Sequence, residues 1–180
     1  MTFPAWPTLK RLVADAVREN TRGSAFPTVY KDGDRFYRTD LAEWFTRSDA
    51  FSGWLGDSGF DMEASTNGGR TASQNLQAHS LTYGLLRGWT VPYQAKVVRM
   101  QGFFSGSTGN TGTVNVEAST GAAFIALPNV TLPIGNGAQS STPTSGTAAV
   151  ANSLLVLRTG TSSTINDVYY VRATLRRFET

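Results

Sequence analysis

Residues 167–180 read DVYYVRATLRRFET. Tyr169, Val171, Ala173 and Leu175 fall on one side of an extended chain, and Tyr170, Arg172, Thr174 and Arg176 on the other. Successive side chains of a strand point to opposite faces, so this period of two predicts a half-buried β-strand. A strand at this point needs partners laid down earlier, and the stretch before it is where its sheet must lie.

Working back from it, strand candidates run Leu81 to Arg87, Ala95 to Phe104, Thr113 to Ser119, Ala122 to Leu127, Val130 to Leu132 and Ala148 to Thr159. Val98, Met100 and Phe104 share a face of the second. Val114, Val116 and Ala118 alternate with Thr113, Asn115 and Glu117 in the third. Ser105–Gly112, Gly135–Gly146 and Gly160–Ser163 are Gly/Ser/Thr/Asn-rich and read as loops. Short alternating strands parted by turn clusters predict an antiparallel β-sandwich, jelly-roll-like, over residues 81–180.

Three segments precede it. Residues 57–80, with Gly56-Asp57-Ser58-Gly59 and Ser65-Thr66-Asn67-Gly68-Gly69, read as a polar linker. Residues 24–56 read as an aromatic-rich β-meander. Thr28 to Lys31 and Arg35 to Arg38 flank the Asp32-Gly33 turn, and Glu43 to Arg47 and Phe51 to Leu55 flank Ser48-Asp49-Ala50. Asp40 with Glu43 offers a helix cap instead, but strand is preferred. The aromatics Tyr30, Phe36, Tyr37, Trp44, Phe45, Phe51 and Trp54 read as a small core. Residues 1–23 read as an anchor. Phe3 and Trp6 sit among prolines, and Leu9, Leu12, Val13, Ala16 and Val17 form the apolar stripe of a short amphipathic helix with Thr8 as N-cap and Gly23 past its end. A helix this short is marginal alone, so its stripe is a candidate for particle docking or self-association.

Charged residues are only 16% of the chain, against the usual ~25%, which suits polar turns and covered surfaces. The net charge of +3 contains no basic block of the kind that binds nucleic acid. Cysteine is absent, which excludes disulfides and thiolate metal sites. The start carries no secretory pattern and no stretch has the length of a membrane span, so the expectation is a soluble protein made in a cytoplasm.

No catalytic residue, cofactor site or metal site emerges. His79 is the only histidine and lies in the polar stretch. Asp32-Gly33-Asp34 opens like a calcium loop without the later oxygen ligands. Asp57, Asp61 and Glu63 are close in sequence, and paired carboxylates run glycoside hydrolysis, yet carboxylates in a polar linker are common. The glycine-rich 106–112 run lacks the lysine and helix of a phosphate loop.

Two stretches resemble phage virion proteins, above all tail-fibre and related fibre modules. One is Gly33-Asp34-Arg35-Phe36-Tyr37-Arg38-Thr39-Asp40-Leu41 with Glu43-Trp44-Phe45 and Trp54-Leu55. It is similar to an "R-(F/Y)-(F/Y)-R-T-D-L … aromatic pair … W-L" pattern near an attachment region. Here Ser48 to Gly53 replaces the usual short aspartate-glycine-threonine turn. The other, Arg87-Gly88-Trp89-Thr90-Val91-Pro92-Tyr93-Gln94-Ala95-Lys96-Val97, is similar to the opening of the sandwich in such modules. The resemblance implies a non-enzymatic homotrimer located in the virion, with other tail or capsid proteins as partners. A fibre would dock through its N-terminal part and display the sandwich. A capsid decoration or head fibre is the alternative, as is a receptor-recognition module for a host surface glycan, with Trp89 and Tyr93 as stacking residues. Tyr170 and Arg172 are the candidate subunit-contact residues.

Overall fold

The computed structural model describes residues 21–66, 69–76, 88–105, 109–119, 124–143, 151–166 and 168–180. The anchor residues Phe3, Trp6, Leu9, Leu12, Val13, Ala16 and Val17, the helix they imply, the strand candidate at 81–87 and His79 lie outside these residues. The described chain is mainly β. Its strands are β1 (Arg22–Gly23), β2 (Arg35–Arg38), β3 (Glu43–Ser48), β4 (Gly53–Thr66), β5 (Trp89–Val91), β6 (Ala95–Phe104), β7 (Thr113–Ser119), β8 (Phe124–Pro133), β9 (Gly137–Ser141), β10 (Ser153–Thr159) and β11 (Tyr169–Glu179). They divide into two compact units, one of residues 1–58 with 179–180, the other of residues 59–178.

In the first unit β2, β3 and the start of β4 pair antiparallel in succession, and β1 adds in parallel to β2. The Asp32-Gly33 turn forms: Asp34 N–H donates to the Lys31 carbonyl at 3.1 Å, and Gly33 has φ +84°. It does not join a hairpin, however. β1 and β3 occupy both edges of β2, so 28–31 has no edge to pair with and is bend and irregular chain rather than strand. The second pair holds, with Ser48 opposite Gly53. The aromatics build a core in part, because Tyr30 and Trp44 of the expected set are exposed. Phe36, Phe45 and Trp54 are buried, and Phe26 stacks on Trp54 with centroids 4.6 Å apart. Arginines cover its rim, Arg38 over Phe26 at 4.7 Å and Arg47 over Tyr30 at 4.2 Å.

The second unit contains two sheets. The later part of β4, with β11, β6 and β9, forms one in that order. β5, β10, β7 and β8 form the other. The pairs nest, with β7 beside β8, β6 beside β9, β5 beside β10 and β4 beside β11. Met62, Val97, Met100, Val171 and Leu175 of the first sheet and Val114, Val116, Leu132, Leu155 and Leu157 of the second belong to a single apolar cluster. Each fully buried side chain of this size contributes about 1.5–3 kcal/mol.

Four expectations change here. The polar linker from 57 is in fact strand as far as Thr66: Met62 and Ala64 are fully buried between outward Asp61 and Glu63, and polar composition hid an ordinary alternation. Residues 69–76 are also tied down, with Arg70 bridging Ile165 and Leu76 N–H donating to the Leu157 carbonyl at 2.8 Å. In β6 a bulge opposite Thr174/Leu175 shifts the phase, so Val97 rather than Val98 joins Met100 and Phe104 inside. Part of the loop at 135–146 is β9, a strand of small and polar residues paired to β6, with no apolar alternation to announce it. Ala122–Leu127 and Val130–Leu132 merge into β8. Pro128 is tolerated there because β8 is an edge strand whose pairing is irregular across it.

Buried hydroxyls clamp the connecting segments at one end. Thr159 Oγ1 donates to the Thr71 carbonyl at 2.6 Å and accepts from Gln74 N–H at 2.9 Å. Ser163 Oγ donates to the Thr113 carbonyl and accepts from Thr113 N–H, both at 2.9 Å. Gly112, at φ +96°, leaves the space Ser163 needs, since a Cβ there would collide with its side chain.

Phe45→Ala is expected to cost about 3–5 kcal/mol in denaturant unfolding of the first unit, because the removed ring leaves a cavity in a small core. Thr159→Val keeps the volume and orphans Gln74 N–H and the Thr71 carbonyl. It is expected to cost about 1–3 kcal/mol and to speed hydrogen exchange at the Gln74 amide.

Candidate interaction face

The outward side of β4, β11, β6 and β9 in the second unit gathers the polar and aromatic residues that the buried side excludes. The register places Tyr170 opposite Phe103 and Phe103 opposite Ala138. It also sets Arg172 opposite Gln101, Gln101 opposite Ser140, and Thr174 opposite Arg99. On the other flank of β11, β4 supplies Asp61 and Glu63. These three rows across neighbouring strands are a direct product of the alternation in β11.

The β4 flank is a closed network. Asp61 takes a hydrogen-bonded ion pair from Arg172 and a 2.6 Å hydrogen bond from the Thr174 hydroxyl. The Tyr170 hydroxyl donates to Glu63 at 3.0 Å, and Arg172 Nε lies 3.6 Å from the same carboxylate. The Arg172 hydrogen bond, aided by Thr174, holds the Asp61 carboxyl below its ordinary value, and the same bond raises Arg172. Partial burial, followed by the bond to Glu63, raises the Tyr170 phenol. Two carboxylates thus share one guanidinium, which leaves this flank with a residual negative charge.

The β6 flank has the opposite sign. Arg99 is exposed, and no acid among the described residues pairs with it. One end of the face is apolar, where Phe103 is 51% exposed, Val168 39% and Tyr170 38%. Three large side chains exposed at one end of a sheet are unlike the scattered exposure of an ordinary surface.

Of the residues singled out in the sequence, Tyr170 and Arg172 sit at the centre of this face. Trp89 and Tyr93 do not join them. Both are half-buried against the apolar cluster, and the Arg177 guanidinium lies 5.4 Å from the Tyr93 ring centre. Phe103, Arg99 and the pairing role of Asp61 and Glu63 were missed. The alternation Arg99, Gln101, Phe103 opposite Met100 and Phe104 was the signal that could have found them. The Asp32 and Asp34 carboxylates accept from Asp49 N–H and Lys31 N–H, so they serve turns. Asp57 pairs with Arg35. Among the described residues no group of three metal-ligating side chains converges, and no helix is long and apolar enough to cross a membrane. Comparison with family models, curated proteins and solved structures returned no match to any of them.

Asp61→Asn is expected to cost less than about 1 kcal/mol at neutral pH, since the pair is part-exposed. The folded pKa is lowered, so the stabilisation is present above the unfolded value near pH ~4 and lost as pH falls through the folded one. Thermal unfolding of the two proteins should therefore converge in acid; a constant gap down to the acid limit would remove the ion pair as the cause.

Proposed function

We propose that this protein is a non-enzymatic structural component of a phage virion, whose residues 1–23 dock to tail or capsid and whose second unit is a displayed, homotrimeric β-sandwich. The nested pairing of the second unit supports the fold. An antiparallel ribbon rolled on itself gives eight strands in two sheets of four, with first beside last and fourth beside fifth. The orders β4-β11-β6-β9 and β5-β10-β7-β8 fit that rule and so support the jelly-roll reading, an arrangement found in viral capsid and lectin domains. The observation that carries the assembly reading is the exposed face around Tyr170 and Phe103, a surface bearing aromatic side chains and arginine, the residue types enriched at subunit contacts. The low charge fraction and the resemblance of residues 33–55 and 87–97 to fibre modules point the same way.

Light scattering of the purified full chain is expected to give three chain masses, and Tyr170→Asp, which adds an anion beside Glu63, to shift it toward one. A strict monomer at high micromolar concentration would count against the assembly. An unchanged mass in the variant would place this face in solvent.

A further inference from the structure

The two flanks of β11 carry opposite charge. Asp61, Thr174 and Arg99 lie in one row across three strands, because Thr174 is the register partner of Arg99 and donates to Asp61. At one end of that row two carboxylates share Arg172; at the other stands Arg99 without an acid among the described residues. A surface that is negative on one side of a strand and positive on the other is complementary to itself.

We infer that this face packs on a second copy of the chain, with Arg99 on the β6 flank of one copy meeting the Asp61–Glu63 flank of the next. The inference rests on the assembly proposed above and names its contact. A head-to-tail contact of this kind, repeated by a three-fold rotation, closes into a ring and leaves no flank unmatched. It turns β11 toward the axis, where Tyr170 of each copy, with Phe103 and Val168 beside it, loses its exposed area to its neighbours. The charged row then sets direction and register, because the reverse pairing would set Arg99 against Arg99 and carboxylate against carboxylate. Arg172, held by Asp61 and near Glu63 within its own chain, keeps the acids in place to receive the incoming cation.

Sedimentation equilibrium of the full-length protein, Arg99→Glu and Arg99→Lys tests the contact. Arg99 is exposed on the outer face, so all three are expected to fold alike and give the same far-ultraviolet circular dichroism spectrum. Arg99→Glu is expected to weaken self-association by about tenfold or more, and Arg99→Lys, which keeps the cation, by no more than about threefold. Wild-type association should fall in high salt. An assembled wild type with an equally assembled Arg99→Glu overturns this contact and leaves the assembly standing. A monomeric wild type overturns both.

Discussion

β11 is hydrogen-bonded along both edges, to β6 on one side and to β4 on the other, and its two faces are therefore committed. Tyr169, Val171, Ala173 and Leu175 are fully buried, and every residue between them points outward. A slip of one residue against either neighbour would carry four apolar side chains into water and bring Tyr170, Arg172, Thr174 and Arg176 into the core. That penalty holds the register of three strands at once. The tight approach of β4 depends on it too, since a Cβ on Gly59 would strike the Leu175 carbonyl.

The same register builds the outer face. Because Tyr170, Arg172 and Thr174 alternate outward with fixed spacing, each meets a particular acid on β4 and a particular partner on β6. The Arg172–Asp61 pair adds little stability at its exposure. Its effect is positional: it fixes the carboxylates on one flank and so separates them from Arg99 on the other. The apolar end at Phe103 and Tyr170 and the charged rows are thus two readouts of one strand pairing.

Loop anchoring follows a different principle. Residues 69–76 and 160–166 lack apolar periodicity, yet they are held by Thr159, Ser163 and the bridges Arg70–Ile165, Asn75–Arg158 and Thr111–Thr164. Buried hydroxyls that both donate and accept satisfy backbone groups that no sheet reaches. Asn110 extends the arrangement, donating to the Ser105 carbonyl at 3.0 Å and accepting from Asn166 N–H at 2.9 Å.

Local alternation alone determined that the chain is mainly β, and it located β6, β7 and β11 almost to the residue, because half-burial imprints a period of two on any strand with one wet face. The same rule placed Tyr170 and Arg172 on an outward face. It could not show that 57–66 is strand, since Asp61 and Glu63 gave the segment a polar composition although Phe60, Met62 and Ala64 pack inward. It missed β9, whose small residues carry no hydrophobic signal, and it misjudged Val98, because a bulge is a property of two strands together. Tertiary structure decided which strands are neighbours. That choice brought Asp61, Glu63, Phe103 and Arg99 to one surface and drew Trp89 and Tyr93 into the packed side. The contacts joining these residues span most of the second unit in sequence, and such pairings are set by the burial of side chains from both sheets in one apolar cluster rather than by any local pattern.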